Sequence, residues 1–128
     1  MSSPALDSML LASTDPARLS EWYEVTLQPD EASDAGDYRY LRFGTFGVLF
    51  DRREDIGAKN QEPGRMILNF QVGDAREVVA RMDGLGVTWL APLEERDGSL
   101  FATAIDPDGN YVQVIQLSPE HRAAMEAK

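Results

Sequence analysis

The sequence predicts an α+β fold in which one strand–helix unit occurs in each half of the chain. A short apolar segment, an aspartate and an amphipathic segment follow one another twice, and the two aspartates, Asp15 and Asp74, lie 59 positions apart. Recurrence at a fixed separation indicates duplication of one supersecondary unit. Residues 101–117 then read as two β-rich segments around a Pro- and Gly-containing turn, which is typical of a hairpin.

The first half opens with a predicted strand at residues 8–13 and a helix after it. Asp15 is a suitable N-cap, because its carboxylate can accept from free backbone N–H groups, and Pro16 suits the first helical position. The apolar residues recur at helical spacing, at Leu19, Trp22 and Tyr23. We expect this helix to end by Gln28, because a proline follows.

The middle of the chain alternates between irregular and strand-like segments. Residues 30–37 are acidic, small and without periodicity, so we expect a loop there. Residues 38–43 and 48–51 are predicted strands. Residues 52–64 are polar and contain glycine and proline, which favours a linker between the two halves.

The second half repeats the order of the first. Residues 66–72 form a predicted strand, and Asp74 is placed to cap a helix that Gly84 and Gly86 end. The apolar face of this helix is predicted to contain Val78, Val79, Met82 and Leu85.

The chain is predicted to finish with three strands and a short helix. Pro92 interrupts the strand at 87–93 and favours an edge position or a bend. Asp97-Gly98 forms a hairpin turn to the strands within 99–117, and residues 119–127 form a terminal helix.

Composition excludes several functional classes. The 128 residues carry 22 acidic and 12 basic side chains, a formal net charge of −10, which disfavours nucleic acid and anionic membranes as partners. There is no cysteine for disulfides, thiolate catalysis or metal ligation. No apolar run is long enough to span a membrane, and the first residues do not have the pattern of a signal peptide. We therefore expect a single cytoplasmic domain.

The exact residues of the last hairpin are more informative about relationship than its strand–turn–strand pattern. The turn Asp106-Pro-Asp-Gly-Asn110, running into Tyr-Val-Gln-Val-Ile-Gln, resembles the end of a glyoxalase/bleomycin-resistance/extradiol-dioxygenase domain, of the vicinal-oxygen-chelate superfamily. The segments 8–23 and 66–74 are similar to the openings of the two modules of that family. The resemblance implies two βαβββ modules that form a half-barrel pair, plus a short C-terminal helix.

The same resemblance divides the chain into parts. Module one would cover about residues 6–53, the linker about 54–64, module two about 65–118 and the C-terminal tail 119–128. One fold of this kind hosts many reactions, so the fold does not specify the chemistry.

The resemblance also implies where a metal ion would be held. Enzymatic members bind a divalent ion with His, Gln or Glu side chains from the first and last strands of each module. The matching positions of this sequence are occupied by Ser8, Leu49 or Asp51, Ile67 and Gln113. Aliphatic side chains cannot coordinate, and neutral oxygens are weak ligands, so we expect no metal and no other cofactor.

Strand alternation predicts which side chains point away from the helices into the concave cup of such a fold. We expect Met9 and Leu11 to face the first helix. Trp89 and Phe101 are added because their rings could stack on a flat ligand. The expected ligand-binding residues are Ser8, Leu10, Leu49, Asp51, Ile67, Asn69, Trp89, Phe101, Tyr111 and Gln113. For Trp89 and Phe101, packing in the core or against a second chain remains an alternative.

The leading hypothesis is a metal-free protein that binds a small organic molecule, cationic or aromatic, in a mostly apolar cup, for sequestration or sensing. The first alternative is a metal-dependent lyase, isomerase or dioxygenase with displaced ligands, so the sequence leaves enzymatic activity open while favouring its absence. The second is an interaction module that binds no small molecule. We expect a homodimer, as is common in the family.

Overall fold

The computed structural model of the chain describes residues 3–127, which form two compact units. The described residues up to Ala58 belong to unit 1, and those from Lys59 onward belong to unit 2. The boundary between the two units lies within the segment predicted to be a linker.

Unit 1 is one four-stranded mixed sheet with a single helix packed against it. Its elements are β1 Ser8–Ser13, α1 Pro16–Leu27, β2 Glu31–Ala35, β3 Tyr38–Phe43 and β4 Phe46–Arg52. The strand order is β1-β4-β3-β2. The pairing of β1 with β4 is parallel and the other two pairings are antiparallel.

Helix α1 begins and packs as its sequence predicts. The Asp15 carboxylate accepts from the backbone N–H of Arg18 at 3.3 Å, and Pro16 occupies the first turn. Leu19 and Tyr23 are fully buried. The helix covers the buried sheet residues Leu41, Val48 and Phe50. Burial of these apolar side chains is the main stabilising contribution in unit 1.

The expectation of a loop at residues 30–37 is wrong. Strand β2 lies at the edge of the sheet and pairs with β3 in antiparallel register, from Glu31 opposite Arg42 to Ala35 opposite Tyr38. Its side chains are mostly exposed, so no apolar alternation marks it in the sequence. Backbone pairing with β3 and an ion pair between Arg42 and Glu31 at 3.5 Å hold it instead.

Unit 2 repeats this arrangement. Its elements are β5 Leu68–Gln71, α2 Ala75–Gly84, β6 Thr88–Arg96, β7 Ser99–Ile105, β8 Tyr111–Gln116 and α3 Pro119–Glu126, with a short 3₁₀ turn, Pro63–Arg65, before β5. The strand order β5-β8-β7-β6 matches that of unit 1, and β5 runs parallel to β8 as β1 does to β4. The predicted duplication within an α+β fold and the short C-terminal helix are therefore confirmed. None of the helices within residues 3–127 has the length and apolar character that crossing a membrane requires.

Some predicted boundaries in unit 2 change. The strand expected at 66–72 is shorter, because Met66 and Ile67 precede β5. Strand β6 continues through Pro92 to Arg96, which the sheet accommodates because β6 is an edge strand with two register shifts. Leu85 is 51% exposed, since α2 ends one residue earlier, so it lies outside the predicted apolar face.

The turn between β7 and β8 is organised by one buried carboxylate. Asp106 Oδ1 accepts from the backbone N–H groups of Asp108 and Asn110, each at 2.9 Å, and Oδ2 accepts from the Asn110 side chain at 2.9 Å. Gly109 takes a φ of 86°, which a side chain would disfavour. Asn60 also bonds this turn, because its N–H donates to the carbonyl of Asp108 at 2.8 Å.

Helix α3 is attached to β7 through hydroxyl groups. The fully buried Ser99 Oγ accepts from the backbone N–H of Ser118 at 2.8 Å and is hydrogen-bonded to Nδ1 of His121. Ser118 caps α3 by accepting from the N–H of His121 at 3.1 Å. The segment after the last strand is thus tied back to the start of β7.

Replacing Asp106 with alanine should destabilise the protein by about 3 kcal/mol, because two backbone donors in a buried turn lose a charged acceptor. Asp106→Asn keeps an acceptor oxygen and should cost less. Urea unfolding of both variants measures the difference. An Asp106→Ala variant as stable as the parent chain would contradict the role given to this carboxylate.

Replacing Gly47 with alanine should displace the ring of Tyr40, because a Cβ there would lie 2.5 Å from Tyr40 Cε1. The ring tip can move, so we expect a loss of stability below about 1 kcal/mol. The measurement is the ¹H–¹³C spectrum of the tyrosine rings. Gly57→Ala is the matched control, since nothing lies within 4 Å of its added Cβ. Tyr40 resonances that match in both variants would rule out the close approach.

Candidate functional site

In each unit the sheet has one face against its helix and one face that points away from it. Strand register assigns side chains to these faces, because directly paired residues share a side. We call the face that points away from α1 the site face of unit 1. The face that points away from α2 is the site face of unit 2.

The side chains of the site face of unit 1 are identified by exclusion, because they alternate with the residues that α1 covers. Val48 and Phe50, which α1 covers, pair with Met9 and Leu11, so those two residues face the helix as predicted. The alternate residues lie on the site face: Ser8, Leu10 and Ala12 on β1, Leu49 and Asp51 on β4, and Tyr40 and Arg42 on β3.

The site face of unit 1 therefore brings together four of the residues predicted to bind a ligand. Leu10 pairs with Leu49 and is 42% exposed, which leaves an apolar side chain accessible. Asp51 lies one row further along, opposite Ala12. Tyr40, opposite Leu49, is a site-face residue that the sequence analysis did not select. Its position follows from strand alternation once the register of β3 with β4 is known.

The site face of unit 2 is more polar. Asn69 pairs with Gln113, which pairs in turn with Thr103, so an amide, a second amide and a hydroxyl form one row across the sheet. Gln71, Ile115 and Phe101 form the next row. Tyr111 and Ile105 extend the same face.

The amides of this face make no hydrogen bond to the part of the protein that the structure describes. Among residues 3–127, no protein hydrogen bond engages the side chain of Asn69, Gln71 or Gln113. Each side-chain amide carries two donor hydrogens and an acceptor oxygen. This row can therefore bind the polar groups of a ligand without first breaking an internal contact.

Phe101 is accompanied by a cation that the sequence did not reveal. The guanidinium of Arg96, from the end of β6, lies 4.5 Å from the centre of the Phe101 ring and also pairs with Glu94 at 3.2 Å. Such cation–π contacts hold an aromatic ring in place. Phe101 thus keeps its predicted place on the site face, with one side of its ring covered.

Two of the predicted residues lie elsewhere. Trp89 pairs with the buried Ala104 and its indole N–H donates to Asp83 of α2 at 2.8 Å, so it lies on the helix side of the sheet. This position is the packing within the protein that the sequence analysis left as the alternative to ligand binding for Trp89. Ile67 precedes β5 and is exposed, next to the site face rather than within a paired row.

His121 lies beside the start of β7, in contact with Ser99. Alternation places Ser99 on the same side as Phe101, so the histidine adjoins the site face of unit 2. The sequence analysis assigned residues 119–128, which include this histidine, to a C-terminal tail. The return of α3 to β7 is a tertiary contact that the sequence did not indicate.

The donors on the two faces do not fit a divalent metal ion. The positions at which the resemblance implies metal ligands are occupied by Ser8, Leu49 or Asp51, Ile67 and Gln113. They offer one hydroxyl, at most one carboxylate and one neutral amide. Within residues 3–127, no three His, Cys, Asp or Glu side chains lie close enough together to hold a metal. Transition metals require several nitrogen, thiolate or carboxylate donors around one point.

Comparison with solved structures supports the architecture described above. The chain is similar to a virulence protein of Salmonella typhimurium, with 23% identity, a TM-score of 0.70, and coverage of 92% of this chain and 100% of that one. It is similar to a fosfomycin resistance protein of Mesorhizobium loti, with 15% identity, a TM-score of 0.69, and coverage of 96% and 99%. A glyoxalase/bleomycin resistance protein of Albidiferax ferrireducens gives 16% identity, a TM-score of 0.72, and coverage of 88% and 98%.

At these identities the structural similarity establishes the fold alone. No curated protein sequence matches the chain. The family model described as a glyoxalase-like domain matches residues 8–115, which is most of the sequence and includes both sheets. The chain therefore belongs to the glyoxalase-like domain family, within the vicinal-oxygen-chelate superfamily.

Proposed function

We propose that this protein binds a small organic molecule through the site face of unit 2 and does so without a metal ion. The observation that supports the proposal is the group of three side-chain amides, Asn69, Gln71 and Gln113, that share this face. No protein hydrogen bond engages them among residues 3–127.

The chemistry of the surrounding residues favours a flat, partly polar ligand. Phe101, Ile115 and Tyr111 supply apolar and aromatic surface beside the amides. Binding sites for small molecules commonly combine such a lining with a few polar groups that set orientation. Amide donors and acceptors match carbonyl, amide or hydroxyl groups of a ligand.

The absence of a suitable donor set supports binding without a metal. Gln113 is a weak neutral ligand, and the aliphatic Ile67 and Leu49 cannot coordinate. Asp51 is the one carboxylate among the predicted site residues, and a single carboxylate does not make a transition-metal site. Sequestration or sensing of a small molecule requires no metal.

The named relatives agree with a small-molecule role. Two similar structures carry names that refer to resistance to fosfomycin and to bleomycin. The cytoplasmic location and the homodimer predicted above remain part of the proposal. Light scattering coupled to size-exclusion chromatography tests the latter.

A thermal-shift screen of aromatic metabolites and cationic glycopeptides should find a stabilising compound whose effect is unchanged by EDTA. Tight binding raises the unfolding temperature because the ligand binds only the folded state. In calorimetry, Asn69→Ala and Gln113→Ala should each weaken that compound about fivefold, since a hydrogen bond contributes about 1 kcal/mol.

Gln61→Ala is the matched control, because Gln61 is an exposed amide located before β5 and outside both sheets. Its affinity for the compound should equal that of the parent chain. Binding that EDTA abolishes, or equal affinities for all three variants, would contradict the proposal. The first of these results would favour a metal-dependent enzyme.

A further inference from the structure

A cleft lies on the other side of the sheet of unit 1, between α1 and the turn that joins β2 to β3. Its volume is about 450 Å³. Its charged lining residues are Glu21, Glu24, Asp34, Asp37 and Arg39. A cleft of this size is within the range that holds a small organic ligand. It lies on the opposite side of the sheet from the site face of unit 1, because α1 forms one of its walls.

The walls of the cleft are held by an ion-pair network. Arg39 bonds both carboxylate oxygens of Glu24, at 2.8 and 3.3 Å, and a third contact reaches Asp34 Oδ1 at 3.2 Å. The hydrogen bond with Glu24 raises the pKa of Arg39 above its ordinary value. This bidentate pair links α1 to β3, and the contact with Asp34 links β3 to β2. The cleft is therefore formed before a ligand arrives.

Acidic side chains outnumber basic ones in the lining of the cleft. Four carboxylates and one guanidinium line the cleft, which gives a formal net charge of −3. Arg39 engages Glu24 and Asp34, whereas Glu21 and Asp37 have no ion pair among the described residues 3–127. Two carboxylates thus remain available to a cation that enters.

The remaining lining is apolar and aromatic. Phe50 lines the cleft and is only 1% exposed, whereas the Tyr38 side chain is 40% exposed. Ala17 and Pro16 of α1 add aliphatic surface. An ammonium group near an aromatic ring gains a cation–π attraction in addition to its ion pairs. Together these residues match a molecule with an apolar chain and a positively charged amine.

We propose that this cleft binds a small organic amine, with its ammonium group between Glu21 and Asp37 and its carbon chain against Ala17 and Tyr38. A bare metal ion is not the ligand, because no three carboxylates of the described chain lie close enough together to hold one. An anion is excluded by the negative lining. This site is independent of the function proposed for unit 2, and either can fail without the other.

The test is titration of the full chain with spermidine, followed by calorimetry and by ¹H–¹⁵N spectra at about 0.15 M ionic strength, where long-range attraction is screened. We expect saturable binding, with shifts concentrated at residues 16–24 and 34–39. Glu21→Gln/Asp37→Asn should weaken binding about tenfold, since each exposed ion pair contributes up to about 1 kcal/mol. Tyr38→Leu should weaken it about threefold.

The matched control is Glu54→Gln/Glu126→Gln, which removes the same charge from exposed positions outside the cleft. It should bind spermidine within about twofold of the parent chain, because screened distant charges contribute little. Equal weakening by both double variants would show diffuse attraction to an acidic protein and overturn the proposal. It would also be overturned by the absence of saturable binding, by shifts centred on Asn69 and Gln113, or by equal affinity for uncharged 1,8-octanediol.

Discussion

The pairing of the first and last strands of each unit is the constraint on which the rest of the structure depends. In unit 1, β1 runs parallel to β4, and in unit 2, β5 runs parallel to β8. A parallel pair needs a crossover connection, and α1 and α2 open those connections. Each helix covers one face of its sheet. Since a shift of one residue would exchange the two faces, the same register that builds the core also selects the side chains that point away from the helix.

The two units use this common framework for different surfaces. The site face of unit 1 has an apolar pair, Leu10 and Leu49, with a phenol and a carboxylate beside it. The site face of unit 2 has three amides beside aromatic rings. The helix side of unit 1 carries four carboxylates and one guanidinium in the cleft around Arg39. Duplication therefore preserved the backbone while the exposed side chains diverged, which agrees with a fold that serves many functions.

Much of the fold could be predicted from the sequence because its strongest signals are local. A short polar residue precedes each helical pattern and caps the helix that follows, at Asp15, Asp74 and Ser118. The turn at Asp106–Asn110 follows from its proline, its glycine and its short polar side chains. Strand β2 could not be predicted in this way. Its residues have no apolar alternation, and it exists because β3 offers an unpaired edge.

The candidate site shows the same division. Alternation placed Ser8 and Leu10 on one face, and Asn69, Tyr111 and Gln113 on another, because β1, β5 and β8 pair with their neighbours without irregularity. Leu49, Asp51 and Phe101, which were selected for other reasons, also lie on these faces. Trp89 was misplaced because it was selected as a ring that could stack on a ligand, whereas its pairing with Ala104 puts it on the helix side of the sheet. Tyr40, Arg96 and His121 were missed because their positions depend on contacts between segments distant in sequence.

The central claim is that the site face of unit 2 offers neutral groups to an organic ligand and that neither site face assembles a metal site. Titration of the protein with Mn²⁺, followed by electron paramagnetic resonance at about 0.15 M ionic strength, tests it most directly, because diffuse attraction by the acidic surface is screened there. The account predicts that the spectrum of the free hexaaqua ion persists, with no stoichiometric binding at micromolar concentrations. Tight binding of one ion per chain that Gln113→Ala or Asp51→Ala abolishes would contradict it.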